Sequence, residues 1–270
     1  MNRFKYFLTK NKMIIIIAIS ILICAIAIAV GVHVQIKENH KSEKIEENVD
    51  YAELEESFNE IFTNTINKEV TAKQDINYEE IVYCAYNIKK EGICNIDVQI
   101  PVFKIDNETT RNVNKEIYET FVKTIIKIEQ NANVKTVFNT NYVVYVNNNV
   151  LSLVIKCTYK DGSNPQREII KTYNYDLENN KLLNIEDILN YKSLDNKEVQ
   201  NKILEKIRKE KEEEIAYPEY SYSSFIRNEN DEIYKIENTP NFFLGKNNYL
   251  YLVYAYGNNN YTSELDLVIF

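Results

Sequence analysis

One apolar run dominates the beginning of this chain: residues 13–34 (MIIIIAISILICAIAIAVGVHV) contain no Asp, Glu, Lys or Arg. As a helix rising about 1.5 Å per residue, the run is long enough to cross a hydrocarbon core of roughly 30 Å. The preceding residues, 1–12, carry only positive charges, at Arg3, Lys5, Lys10 and Lys12. Because Lys and Arg beside a membrane helix stay in the cytoplasm, the pattern predicts a cytoplasmic tail (1–12), a single-pass transmembrane helix (13–34) and a C-terminal region outside the cytoplasm.

A cleaved signal peptide is the alternative for this segment. The apolar region of a signal peptide is typically about 7 to 15 residues long, and Ala27 with Ala29 could supply the small residues of a cleavage site. The uninterrupted length of the run favours an uncleaved anchor. Acylation at Cys24 is disfavoured, because the bulky side chain of Ile23 precedes it. We therefore expect a cell-membrane protein whose folded part lies outside the cytoplasm.

Charge narrows the classes of partner. Removing the four positive charges of the tail from the whole-chain value of −8 leaves −12 for residues 35–270. An acidic surface disfavours nucleic acid and speeds encounter with a cationic protein, although such a surface also serves solubility alone. Asn, Ile, Lys and Tyr dominate while Gly (5), Pro (4) and Trp (0) are scarce. This bias is typical of A+T-rich codons and indicates a low-G+C bacterium.

A polar spacer and an amphipathic helix follow the membrane run. Residues 35–50 are polar and without pattern, so no fold is expected there. Within residues 51–70 the apolar side chains recur at helical spacing, at Tyr51, Leu54, Phe58, Ile61 and Phe62. This helix could pack on the domain, pair with a partner helix or lie on the membrane. Its acidic polar face argues against the membrane.

Residues 76–270 alternate between strand and helix patterns. Apolar residues at every second position predict strands around 81–85, 93–100, 142–146, 151–159 and 168–177, and a final hairpin turns at Asn247-Asn248 before the strand LDLVIF. Two helices interrupt them. The first has Asn107 as its N-cap and the second has Asp195. The sequence therefore predicts an α+β fold with a mainly antiparallel sheet and two principal helices.

Residues that could perform chemistry are scarce. The two histidines, His33 and His40, lie at the membrane exit and in the spacer. A Ser-His-Asp or Cys-His nucleophile and a His-rich zinc site are therefore disfavoured, and the sequence has no Gly-rich phosphate loop. Although distant carboxylates could still pair, none can be singled out among 40 acidic residues. We expect no enzymatic activity, no metal and no cofactor.

Two cysteines of the exported region could form a disulfide. Cys84 and Cys94 flank the turn between the first two predicted strands, in the exported region where an oxidising environment favours disulfides. A bridge between them would stabilise the fold by about 2 to 3 kcal/mol, and two reduced thiols are the alternative. Cys157 alternates with core residues and is expected to be a buried thiol.

One segment has the composition of a recognition surface. The stretch AYPEYSYSSF has no clean period and contains four aromatic residues, at Tyr217, Tyr220, Tyr222 and Phe225. Tyr presents a large apolar ring and a hydroxyl group, which suit glycan stacking or a protein hot spot. The alternative is that these rings pin a long loop to the core. We name them as candidate ligand-binding residues.

The order of elements resembles a known domain. The strands and turns VQIPVFKI (98–105), YVVYVNNNVLSLVIKCTY (142–159) and KTYNYDLENNKLLNIEDIL (171–189), with NFFLGKNNYLYLVY near the end, look like the extracytoplasmic domain of the RsiV/PdaC type. That type is shared by lysozyme-sensing anti-sigma factors and the N-terminal part of peptidoglycan deacetylases, and its function is largely unknown. The most specific piece is YDLENNKLLNIEDIL, in which Asn180 takes a position that is often Gly.

Departures from that type matter as much as the likeness. The twelve-residue tail is too short for the sigma-factor-binding part of an anti-sigma factor, and residues 76–270 are occupied by the domain itself, which leaves no room for a deacetylase domain. Where many relatives have a Gly-Gly-Ala-His-Gly turn, this chain has Asp-Gly-Ser-Asn-Pro at 161–165. The resemblance therefore implies a fold rather than an activity.

Two functional classes remain. The first is a membrane-anchored, non-enzymatic binding or sensing domain of a bacterial envelope, whose ligand is peptidoglycan or a cationic protein of the lysozyme type. The second is an envelope or spore-coat scaffold that assembles through the helix at residues 51–66.

Overall fold

The computed structural model describes residues 54, 58, 80–131, 133–216, 227–255 and 265–270. All of them belong to the second of two compact units, residues 52–270. The predicted tail, transmembrane helix and spacer lie outside the described residues. Within these residues, no helix combines the length and the apolar composition that crossing a membrane requires.

A six-stranded sheet forms the larger layer. Its strands lie side by side in chain order: β1 (Val82–Lys90), β2 (Cys94–Phe103), β3 (Thr136–Asn147), β4 (Val150–Asp161), β5 (Arg167–Asp176) and β6 (Lys181–Leu182). Four of the neighbouring pairs are antiparallel, but β2 and β3 are parallel. The predicted antiparallel character is therefore confirmed only in part, and the sheet is mixed.

The parallel pair follows from the helical crossover between β2 and β3. This crossover comprises α1 (Glu108–Ile117), a π-helical turn (Tyr118–Val122) and α2 (Lys123–Asn131). Its start is encoded locally. As predicted, Asn107 is the N-cap, and its side chain exchanges hydrogen bonds with Thr110 in a capping box. Because the helical segment runs back along the sheet, β3 begins at the same end as β2.

Two further helices precede a second sheet. They are α3 (Ile185–Lys192) and α4 (Asn196–Ala216), and the sheet is antiparallel with β7 (Asn241–Leu244), β8 (Leu250–Ala255) and β9 (Leu265–Ile269). The prediction of two principal helices omits α3. That helix is short but well delimited, because Asn184 caps its start and Ser193 ends it at a φ of 55°. With α1–α2 counted as one body, the described fold has three helices.

Asparagine makes most of the tight turns. Asn148, Asn180, Asn247 and Asn248 have φ values of 52°, 55°, 55° and 63°. Asn tolerates this left-handed region better than other residues with a Cβ. The predicted hairpins at 147–149 and 247–248 are thereby confirmed, and Asn180 adopts the conformation of a turn glycine.

The six-stranded sheet is covered on both faces, but not over its whole area. One face packs against the α1–α2 stripe, whose buried side chains are those of Val113, Ile117, Phe121, Ile125 and Ile128. The other face meets the three-stranded sheet and also Phe58, which is 0% exposed. Phe58 stacks near Phe243 and Tyr251 at centroid distances of 6.1 and 6.2 Å. Of the three roles open to the helix at 51–66, packing on the domain is therefore observed for Leu54 and Phe58.

Polar side chains join the two sheets. Ser152 of β4 accepts a hydrogen bond from the Leu244 backbone N–H at 3.1 Å, and it donates to Asn174 of β5 at 2.6 Å. The Asn174 amide in turn donates to the Phe242 carbonyl at 2.7 Å. These buried bonds satisfy the backbone of β7 and hold the small sheet over one part of the larger sheet face.

Candidate functional site

The aromatic candidates lie at a boundary of the described chain. Tyr217, Tyr220, Tyr222 and Phe225 are outside the described residues, so their role as ligand residues stays a prediction. The first residue described after them is Arg227. Its surroundings therefore show how the end of this segment is attached to the domain.

Arg227 forms a buried ion pair with Asp266 of β9. The guanidinium Nε donates to both carboxylate oxygens at 3.1 Å, and one Nη donates to Oδ1 at 2.9 Å. The two side chains are only 7% and 2% exposed. Bidentate geometry and burial make such a pair directional, and loss of either partner removes a buried counter-charge from the other.

Tyrosines enclose this pair. The Tyr234 hydroxyl donates to Asp266 Oδ2 at 3.4 Å, and its ring packs against that of Tyr254 at a centroid distance of 5.5 Å. The Tyr254 hydroxyl is 2.9 Å from the hydroxyl of Thr239. Burial raises the pKa of Tyr254 to about 12, and burial together with the Asp266 charge raises the pKa of Tyr234 further. Both phenols therefore stay protonated and act as hydrogen-bonding groups rather than bases.

Opposing effects act on the pKa of the Asp266 carboxyl group. Burial raises the pKa of its carboxyl group, whereas the hydrogen bonds and charge of Arg227 lower it. Glu210 and Lys206 of α4 act on it more weakly and in opposite directions. Since Arg227 directly follows residues 217–226 and Asp266 follows residues 256–264, the pair brings the ends of two segments to one place on the domain.

The structure does not favour the Cys84–Cys94 bridge. Neither Cys84 nor Cys94 forms a disulfide within the described residues, and Cys84 lies opposite Pro101 in the β1–β2 ladder. Pro101 is seven residues beyond Cys94 on β2, a separation of roughly 23 Å at about 3.3 Å per residue. A disulfide requires Cα atoms within about 7 Å. The two cysteines flank the turn in sequence but lie at opposite ends of the hairpin, so the pairing does not fit this register.

Cys157 is a buried cysteine, as its alternation with core residues predicts. Cys157 is 0% exposed, and burial raises the pKa of its thiol to about 12. It is therefore a packing residue and not a reactive thiolate. Among the residues that the structure describes, no three His, Cys, Asp or Glu side chains are grouped closely enough to hold a metal ion.

An open part of the large sheet carries a row of polar side chains. Five residues on successive strands stand directly opposite one another in the strand register, and together they define the polar row: Lys89, Asp97, Asn139, Thr158 and Glu168. Paired residues point to the same side of a sheet. The neighbours of Asp97 along β2, Ile96 and Val98, are buried against α1–α2. The polar row therefore lies on the opposite face, beside the area that the small sheet covers.

The next positions on the same face are also polar. Asn87 of β1 stands opposite Gln99 of β2. Along β1, Val82 and Tyr86 pack on the α1–α2 side, so Tyr83 between them lies on the open face at the sheet edge. Tyr83 is 44% exposed, and Asn87 and Asn139 are exposed as well. Sequence reasoning did not select these residues. The amides that alternate in NIDVQ (95–99) and FNTNY (138–142) indicate a polar strand face, but only the strand order shows that the two segments are neighbours.

Charges on this face compensate one another. The Lys89 ammonium group lies 3.5 Å from Asp97 at the exposed end of the row. At the other end, the Lys156 ammonium group lies 2.8 Å from Glu168, and these two side chains are only 13% and 11% exposed. Thr158 donates to Glu168 at 3.3 Å. The surface between the two pairs is left with neutral amide and hydroxyl groups.

Comparison with known proteins finds structural likeness only. No protein-family model matches the sequence, and no curated protein matches it. The crystal structure of a DUF3298 family protein from Pseudomonas aeruginosa PAO1 is similar at 10% sequence identity, with 67% of this chain and 81% of that chain covered and a TM-score of 0.39. A DUF3298 family member from Bacteroides fragilis NCTC 9343 is similar at 17% identity, with 60% and 74% covered and a TM-score of 0.34. Neither name states a ligand or an activity.

Proposed function

We propose that this protein is a membrane-anchored, non-enzymatic binding or sensing domain that lies outside the cytoplasm in a bacterial envelope. Its anchor is the apolar run at residues 13–34, and its ligand is cell-wall glycan or a cationic protein of the lysozyme type. The proposal agrees with the resemblance of residues 76–270 to the RsiV/PdaC-type domain.

The attachment of the aromatic segment is the observation that carries the proposal. Arg227 directly follows residues 217–226 and is fixed to β9 by a buried, bidentate ion pair. A recognition segment gains affinity when its end is held by a rigid element, because less conformational freedom is lost on binding.

Both ligand classes suit the composition of the exported part. Tyr220 and Tyr222 offer rings for stacking on sugars and hydroxyl groups for hydrogen bonds. The net charge of −12 for residues 35–270 favours encounter with a cationic protein. An acidic surface argues against nucleic acid as a partner.

The scaffold alternative has less support. It needs a free apolar face on the helix at 51–66, but Phe58 is fully buried against Phe243 and Tyr251 of the same chain. Side chains of the predicted helix that already pack on the domain, as those of Leu54 and Phe58 do, are less available to another protein. If the alternative held, removal of residues 51–66 would abolish a dimer or larger assembly of the purified chain.

Binding measurements test the proposal directly. The full chain in detergent micelles should bind either purified peptidoglycan or lysozyme saturably, and replacing Tyr220 and Tyr222 with Ala should weaken binding by about 1 to 3 kcal/mol at an unchanged melting temperature. A large fall in melting temperature with intact binding would show that the rings are core anchors. Absence of binding to both ligands would reject the proposed function.

The topology has its own test. In protoplasts, external protease should digest residues 35–270 while the undigested chain remains in the membrane fraction. A soluble mature form starting near Val30 would contradict the anchor and support the signal peptide.

A further inference from the structure

We infer that the open part of the large sheet, centred on Asn87, Gln99 and Asn139 with Tyr83 at its edge, binds a neutral N-acetylated glycan strand. This inference rests on the proposed function, because it gives one of the two proposed ligands a binding surface. It concerns β1 to β3 only and does not involve the aromatic segment at 217–226.

The amides on this face are available to a ligand. Asn87 and Asn139 are exposed and Gln99 is half-buried. Within the described part of the chain, no hydrogen bond engages these three side chains. Each amide can donate two hydrogen bonds and accept two, and it therefore matches the hydroxyl and acetamido groups of an N-acetylated sugar.

The arrangement is flat and periodic. Adjacent strands lie about 4.8 Å apart, so the polar side chains from β1 to β3 span roughly 10 Å across the sheet. That is a length comparable with a disaccharide unit. Tyr83 lies on the same face at the sheet edge and is 44% exposed, so its ring is accessible for stacking on a sugar.

Charge decides between the two proposed ligands at this surface. A cationic protein would need a surface with unpaired carboxylates. Here the Asp97 carboxylate already lies 3.5 Å from the Lys89 ammonium group, and Glu168 lies 2.8 Å from that of Lys156. Among the described residues of this face, both carboxylates are thus paired and the exposed Lys160 of β4 adds a positive charge, which disfavours a cationic partner and leaves a neutral polymer as the better match.

The residue types also depart from ordinary strand composition. Asn is disfavoured within strands, where β-branched and aromatic residues pack better. Solvent exposure alone would be met by Thr, Lys or Glu. Asn87, Gln99 and Asn139 lie on the part that the small sheet leaves open, and positions that break local preferences are commonly functional.

The test compares two neutral sugars that differ in their acetamido groups. The full chain in detergent micelles is titrated calorimetrically with the tetrasaccharide of N-acetylglucosamine and with cellotetraose. We expect the acetylated sugar to bind at least tenfold more tightly. The double variant Tyr83→Ala/Asn139→Ala should lower that affinity at least tenfold. The matched control Tyr191→Ala/Asn201→Ala removes an exposed Tyr and an exposed Asn on helices, and its affinity should stay within twofold.

Each result has a defined meaning. Equal affinity of the sheet variant and the unmodified chain would overturn the inference while leaving the proposed function intact. The same holds if the chain binds lysozyme and neither sugar. If the sheet variant is destabilised, Asn139→Asp, which keeps size and exposure but removes the donor, must weaken glycan binding alone, or the inference fails. Failure of the unmodified chain to bind peptidoglycan, sugars or lysozyme would reject the proposed function itself.

Discussion

Removing one partner of the buried pair between Arg227 and Asp266 is expected to lower the stability of the fold strongly. In Asp266→Asn the side chain keeps its shape, but the guanidinium of Arg227, 7% exposed, loses its counter-charge. Breaking one partner of a buried pair costs about 3 to 5 kcal/mol. For a unit of the size of residues 52–270, each kcal/mol lowers the melting temperature by about 2 to 4 °C. The expected fall is therefore about 6 to 20 °C.

Urea and thermal unfolding of the variant at pH 7, followed by circular dichroism, measure this loss. The matched control is Asp97→Asn, which breaks the exposed pair with Lys89 at 3.5 Å and should cost less than about 1 kcal/mol. Replacing both buried partners, as in Arg227→Met/Asp266→Leu, should recover most of the stability, because no buried charge remains. A loss below about 1 kcal/mol for Asp266→Asn would refute the reasoning and show that water or another group compensates Arg227.

Three further outcomes are expected. Phe58→Ala should lower the free energy of unfolding by about 3 to 5 kcal/mol in urea titrations, because it empties a fully buried aromatic site; a loss under about 1 kcal/mol would show that the helix is dispensable for the domain. Burial raises the pKa of Asp266 and Arg227 lowers it, so the Asp266 pKa should be higher still in the Arg227→Met variant. Protonation of Asp266 should then favour the folded state of that variant. Its deficit relative to the unmodified chain should therefore shrink between pH 7 and about pH 4.5, and a deficit that grows would contradict this sign. Cys157, with a thiol pKa of about 12, should resist iodoacetamide in the folded chain at pH 8 and react after unfolding, as peptide mass mapping can determine.

Local signals in the sequence determined much of the fold. The hairpin between β3 and β4 follows from two alternating runs separated by asparagines, and Asn148 takes the positive φ that the turn needs. The start of α1 follows from the capping ability of Asn107. Burial of Cys157 follows from its place in an alternating strand. Each of these depends on neighbours within a few residues, and the sequence displays such neighbours directly.

The tertiary structure decided which distant segments meet. An alternating strand has the same pattern in parallel and antiparallel pairs, so the sequence did not show that β2 and β3 are parallel. It also did not show the β1–β2 register, which separates Cys84 from Cys94. Arg227 and Asp266 are 39 residues apart and carry no local sign of pairing. The amide surface of β1 to β3 likewise arises only when three strands with individually ordinary polar positions lie in register. Long-range pairing depends on the packing of the whole domain, which no short window of sequence contains.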